Sequence, residues 1–124
     1  MSAPEWDNID LARLIQAIRA FRDERDWLQF HNPKDLATAL AIEASELQEV
    51  FLWRQAEDLD DRVLEKRDLI EEEVADIAIY LLEFADLLNI DLQKAIENKM
   101  AKNAAKYPVE KAKGSCKKYN EHEG

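Results

Sequence analysis

Glycine and proline are scarce in this 124-residue chain, at two and three residues. So few leave little material for the tight turns of a sheet protein. Cysteine occurs once, at Cys116, which excludes a disulfide framework and a thiolate zinc site. Basic residues are outnumbered: the formal net charge is −10, from 17 Lys and Arg against 27 Asp and Glu. With no basic stripe to offset that repulsion, nucleic acid is excluded as an expected partner. An acidic protein can still bind a polyphosphate if a metal bridges the two. No apolar run approaches the roughly 20 residues of a membrane span, and the N-terminal segment lacks a basic region followed by an apolar one. The expectation is a cytoplasmic protein with no membrane partner.

What is abundant is helical periodicity, and it predicts an all-α chain of four helices. The first runs from a cap at Asp7 or Asn8 towards Leu28, with Leu11, Leu14, Ile15, Ile18, Phe21 and Leu28 as its stripe. His31-Asn32-Pro33 breaks it. The second runs from Lys34 or Asp35 to between Trp53 and Gln55. After a polar, acid-rich connection, the third runs from about Arg62 to Leu88. Asp91 caps the fourth, which reaches about Ala105 and stops before Pro108. Residues 1–108 are expected to form one helical domain, and 109–124 a polar tail.

Two of these helices carry acids at positions that should be apolar. Glu43 and Glu46 stand in an E-x-x-E spacing, and Glu73 and Asp76 in an E-x-x-D spacing. Acids three apart share a helix face. Glu43 falls among Leu36, Ala39, Leu47 and Val50, and Glu73 among Leu69, Ile77, Tyr80 and Phe84. Buried unpaired carboxylates are costly. Four acids converging from two helices stay ionised around a hard divalent cation, and all-oxygen ligands point to Mg²⁺, with Mn²⁺ as the alternative. A di-iron bundle needs Glu-x-x-His ligands, and neither His31 nor His122 follows a Glu at that spacing. The remaining acids, Glu49, Glu57, Glu65, Glu71, Glu72 and Glu83, are expected to face solvent.

The fourth helix adds a cation and an amide at Lys99 and Asn103, with Tyr107 one turn further on. Such donors suit the non-bridging oxygens of a triphosphate, although a lysine at a helix edge also simply snorkels. Trp27, Trp53 and Tyr80 are candidates for stacking on a nucleobase, or for core and subunit-interface aromatics.

Taken together, these motifs resemble the MazG-like all-α nucleotide pyrophosphohydrolases, nearest to their dCTP pyrophosphatase branch. The resemblance rests on Arg25-Asp26-Trp27-x-Gln29-Phe30-His31-x-Pro33, Glu43-x-x-Glu46, Trp53, Glu73-x-x-Asp76-Ile77-x-Ile79-Tyr80-Leu81 and Lys99-Met100-x-x-Asn103-x-x-x-Tyr107-Pro108. It spans about residues 8–119, including Lys117-Lys118-Tyr119. It implies a bundle-type fold and cleavage of a nucleoside triphosphate between its α and β phosphorus atoms, giving the monophosphate and pyrophosphate. It also implies Glu43, Glu46, Glu73 and Asp76 as Mg²⁺ ligands, and Lys99, Asn103 and Tyr107 as phosphate contacts. Trp27, His31 and Trp53 become the base pocket, with dCTP or a related deoxynucleotide preferred. The expected assembly is a homo-oligomer, dimers paired into a tetramer, with pockets built from more than one subunit. One position departs: Ile18 stands where the vertebrate dCTP enzymes have a histidine, which leaves the base preference open. The sequence is also compatible with two rivals: a dUTP or other pyrophosphohydrolase of the same superfamily, and a non-enzymatic helical interaction module.

Overall fold

In a computed structural model, residues 3–117 are described; Lys118, Tyr119 and His122 lie outside the described residues. Among those described there are helices and turns and no strand, as the periodicity predicts. The chain divides into two compact units, one ending at Asn89 and one beginning at Ile90.

In the first unit, α1 spans Leu11–Glu24. The Asp10 side chain caps it by accepting from the Arg13 amide at 3.0 Å, so the cap sits slightly later than Asp7 or Asn8. The helix also stops before Leu28, because Asp26 takes a left-handed backbone with φ of 53°. A short 3-10 turn, Leu28–Phe30, leads on. The second helix, α2, spans Pro33–Glu49. Proline stands at its first turn, where a missing N–H costs nothing. Asn32 caps it by accepting from the Asp35 amide at 2.9 Å, while the Asn32 amide donates to the Asp35 carboxylate at 2.7 Å.

The expected third helix is divided. A one-turn 3-10 segment, Ala56–Asp58, leads into α3, Leu59–Glu65, and α4 spans Arg67–Leu87. Lys66 separates the two with φ of −108° and ψ of 21°. Lys66 and Arg67 are ordinary helix formers, so nothing local announces this break. The Arg62 Nε donates to the Val50 carbonyl at 2.7 Å, tying α3 to the end of α2.

α2 packs along α4, and α1 lies against α4 as well. Leu36, Val50 and Ala85 are the buried apolar residues among those described. Many larger apolar side chains stay exposed, among them Phe21, Ile42, Val74, Leu81 and Leu88.

In the second unit, α5 spans Leu92–Lys106, with Asp91 as its cap, accepting from the Lys94 amide at 3.1 Å. The segment expected as a tail contains a single helical turn, α6, at Val109–Ala112. No helix among the described residues is long and apolar enough to cross a membrane.

Candidate active site

The α2–α4 packing brings the two acidic motifs together. One carboxylate oxygen from each of Glu43, Glu73 and Asp76 lies within 4.8 Å of the others. Glu43 and Glu73 are half-buried, and Asp76 is exposed. Glu46, one turn along α2, is exposed but close enough to act on both Glu43 and Glu73. The four acids of the sequence motifs thus converge, with three of them forming the tight group.

The electrostatics of this cluster are unfavourable for carboxylates alone. The Oε2 atoms of Glu43 and Glu73 are buried without a hydrogen-bond partner. Burial, followed by the neighbouring Glu46 and Glu73 carboxylates, pushes Glu43 up to about 7. Glu73 is also raised, chiefly by burial. Their nearest charged neighbours in the cluster are other carboxylates. A divalent cation satisfies such a set: all donors are hard oxygens, and their charge is otherwise uncompensated. The residues present therefore fit the metal that the sequence motifs imply.

Beside the acids, α1 and α4 enclose a cleft of about 590 Å³. Leu14, Ile18 and Phe21 line it from α1, and Trp27 and His31 from the segment before α2. Asp76, Tyr80 and Glu83 line it from α4. The rings of Trp27 and Phe21 meet edge to face, 5.8 Å apart at 72°, and the Arg25 guanidinium covers Phe21 at 3.6 Å. Burial raises the Tyr80 hydroxyl above its usual range, and the negative charges of Glu43, Glu83, Asp76 and Glu46 add to it. Asp76 belongs to both the acid cluster and the cleft wall, so the two are continuous.

The sequence-derived residues do not all come together. Glu43, Glu46, Glu73 and Asp76 come together, and Trp27, His31 and Tyr80 share the adjoining cleft. Trp53 is not in that wall: it follows α2 with φ of 63° and is 88% exposed. Lys99 and Asn103 lie one turn apart on α5, in the second unit, and Tyr107 closes that helix, its amide donating to the Asn103 carbonyl at 2.8 Å.

Glu83 departs from the solvated face that its sequence predicts: it is half-buried in the cleft wall, with a buried Oε2 that lacks a partner. The available signal was spacing: Glu83 is seven residues beyond Asp76 and three beyond Tyr80, on the same helical face.

A helical chain whose two packed helices present acids beside an aromatic cleft has the form of a MazG-like protein, and the MazG-like family model matches residues 38–121. The chain belongs to the MazG-like family. It is similar to dCTP pyrophosphatase 1 of Rattus norvegicus, 38% identical over 121 residues, covering 96% of this chain and 69% of that one. It is also similar to dCTP pyrophosphatase 1 of Homo sapiens, 38% identical over 121 residues with the same coverage, 96% and 69%. Among solved structures, a pyrophosphatase from Archaeoglobus fulgidus superposes with a TM-score of 0.77 at 37% identity, covering 87% of this chain and 98% of that chain.

Proposed function

We propose that the protein is a Mg²⁺-dependent nucleoside triphosphate pyrophosphohydrolase that converts a deoxynucleoside triphosphate and water to the monophosphate and pyrophosphate, with dCTP or a close relative preferred. The observation that carries this reading is the group of three carboxylates, two with buried partnerless oxygens, opening onto an aromatic cleft of nucleoside size. Its similarity to dCTP pyrophosphatases supports the substrate class.

In this reading Glu43, Glu73 and Asp76 hold the cation, with Glu46 alongside. When bound, the cation supplies charge neutralisation for the triphosphate and acidifies a water. Glu43 or Glu46 accepts the proton of the attacking water. Attack at the α phosphorus forms the new P–O bond as the α–β anhydride bond breaks and pyrophosphate leaves. Lys99, Asn103 and Tyr107 contact the phosphates, and Lys99 offsets the charge that develops. Trp27, His31 and Tyr80 take the base in the cleft they line, and Trp53, outside that wall, would join them in the assembled enzyme. The same reading includes a cytoplasmic homo-oligomer, a tetramer of paired dimers.

Initial rates across the common ribo- and deoxynucleoside triphosphates, with products resolved by chromatography, test it. Orthophosphate as product overturns the reaction type, and ribonucleotides turning over faster than deoxynucleotides overturn the substrate class.

A further inference from the structure

Asp76, Tyr80 and Glu83 stand at i, i+4 and i+7 of α4 and all line the cleft. At 1.5 Å per residue, Glu83 sits roughly 10 Å along the helix from Asp76. A nucleotide with its phosphates at the acid cluster could place its base along that line. Trp27 lines the same cleft, and His31 stands close enough to Glu83 to act on it electrostatically.

The Oε2 of Glu83 is buried and bonded to nothing. A buried acceptor without a donor carries a desolvation penalty, and Glu83 is one of the residues that line the cleft. We infer that Glu83 is a specificity-determining residue that reads the polar edge of the base, accepting a hydrogen bond from an exocyclic amino group such as the 4-amino group of cytosine. This inference rests on the nucleotide-hydrolase reading above and names the group that selects the base.

The chemistry favours an amine over a carbonyl at that position. Carboxylates accept from cytosine N4 in other recognition settings. Uracil and thymine present O4 there instead, an acceptor facing an acceptor. Rejection of the keto base then follows from an unpaired, repelling contact rather than from shape. Burial holds the Glu83 carboxyl above its ordinary range, and His31 and Arg22 offset part of that rise. The Arg22 Nε is bonded to Asp23 at 2.8 Å, so Arg22 contributes charge while that donor is engaged elsewhere.

The test compares dCMP and dUMP binding in wild type and Glu83→Gln, followed by Trp fluorescence and calorimetry. A glutamine can donate to O4 as well as accept from N4, so the substitution removes the bias without removing volume. The wild type should bind dCMP more tightly than dUMP by roughly tenfold, and Glu83→Gln should bring the two within about twofold. A second arm uses wild type alone: an N4,N4-dimethyl dCMP, which has no donor, should bind about tenfold more weakly than dCMP. An unchanged dCMP-to-dUMP ratio in the variant, or dimethyl dCMP binding as tightly as dCMP, overturns the inference. Binding of monophosphates does not depend on turnover. A wild type that discriminates between them while releasing no pyrophosphate from any triphosphate therefore refutes the hydrolase reading and leaves Glu83 supported.

Discussion

Glu43 on α2 and Glu73 on α4 face each other across the helix pair, each with one carboxylate oxygen buried and bonded to nothing. Without a cation this arrangement opposes folding. Glu43 is pushed up to about 7 from an ordinary value of 4.5, so between those values the folded state binds more protons than the unfolded state. Stability of the metal-free protein therefore falls as pH rises through that window and is recovered as pH drops towards 4.5. In EDTA, thermal melts at pH 5 should lie above those at pH 8. Glu43→Gln should raise the pH 8 melt and flatten the difference. A metal-free wild type that is more stable at pH 8 than at pH 5 contradicts the assignment.

The same carboxylates give the opposite outcome for activity. Glu73→Gln and Asp76→Asn each remove a charge from the group of three. Loss of an outer-shell partner in a metal site costs roughly 10–100-fold, and loss of a ligand should exceed that. Both variants should keep wild-type helicity by circular dichroism while turnover collapses, and EDTA should abolish turnover of the wild type. Full activity in EDTA removes the metal from the reading.

The exposed apolar residues call for a partner copy. Only Leu36, Val50 and Ala85 are buried among the described residues, whereas Phe21, Ile42, Val74 and Leu81 are exposed on three helices of one unit. Burying one such side chain is worth roughly 1.5–3 kcal/mol, and a protein rarely leaves so many in water. Sedimentation equilibrium at micromolar concentration should show a homo-oligomer. Leu81→Asp, which puts a charge on an exposed apolar face of α4, should shift it towards smaller species. A wild type that remains monomeric refutes this.

The acid cluster was legible in the sequence because its logic is local. A 3.6-residue period places Glu43 and Glu73 in their apolar stripes without knowledge of any other helix. The cap at Asp91 also follows from the residues beside it. What stayed hidden depends on distant partners or on strained backbone. Glu83 resembles any helical glutamate until α1 and His31 close the cleft around it. The end of α1 depends on a left-handed Asp26, and the Lys66 break falls between two good helix formers. The family resemblance pairs Trp53 with Trp27 in a base pocket, and of the two Trp27 lines the cleft.

That difference between the two indoles separates their predicted phenotypes. Trp27 stands in the cleft wall against Phe21. Base stacking on an aromatic side chain is worth roughly 1–3 kcal/mol, so Trp27→Ala should raise KM by roughly 5- to 150-fold and also loosen the Phe21 contact. Trp53 has no such packing role: it is 88% exposed and its backbone is left-handed, φ 63°. That conformation costs a non-glycine residue roughly 1–2 kcal/mol and costs glycine nothing comparable. Trp53→Gly should therefore leave the melting temperature unchanged or higher. If Trp53 stacks on the base in the assembled enzyme, the same variant raises KM by as much as Trp27→Ala does. Steady-state kinetics on the best substrate, paired with thermal melts, reads both effects at once. A Trp53→Gly enzyme with wild-type KM removes Trp53 from the base pocket, and a large drop in melting temperature assigns it a structural role instead.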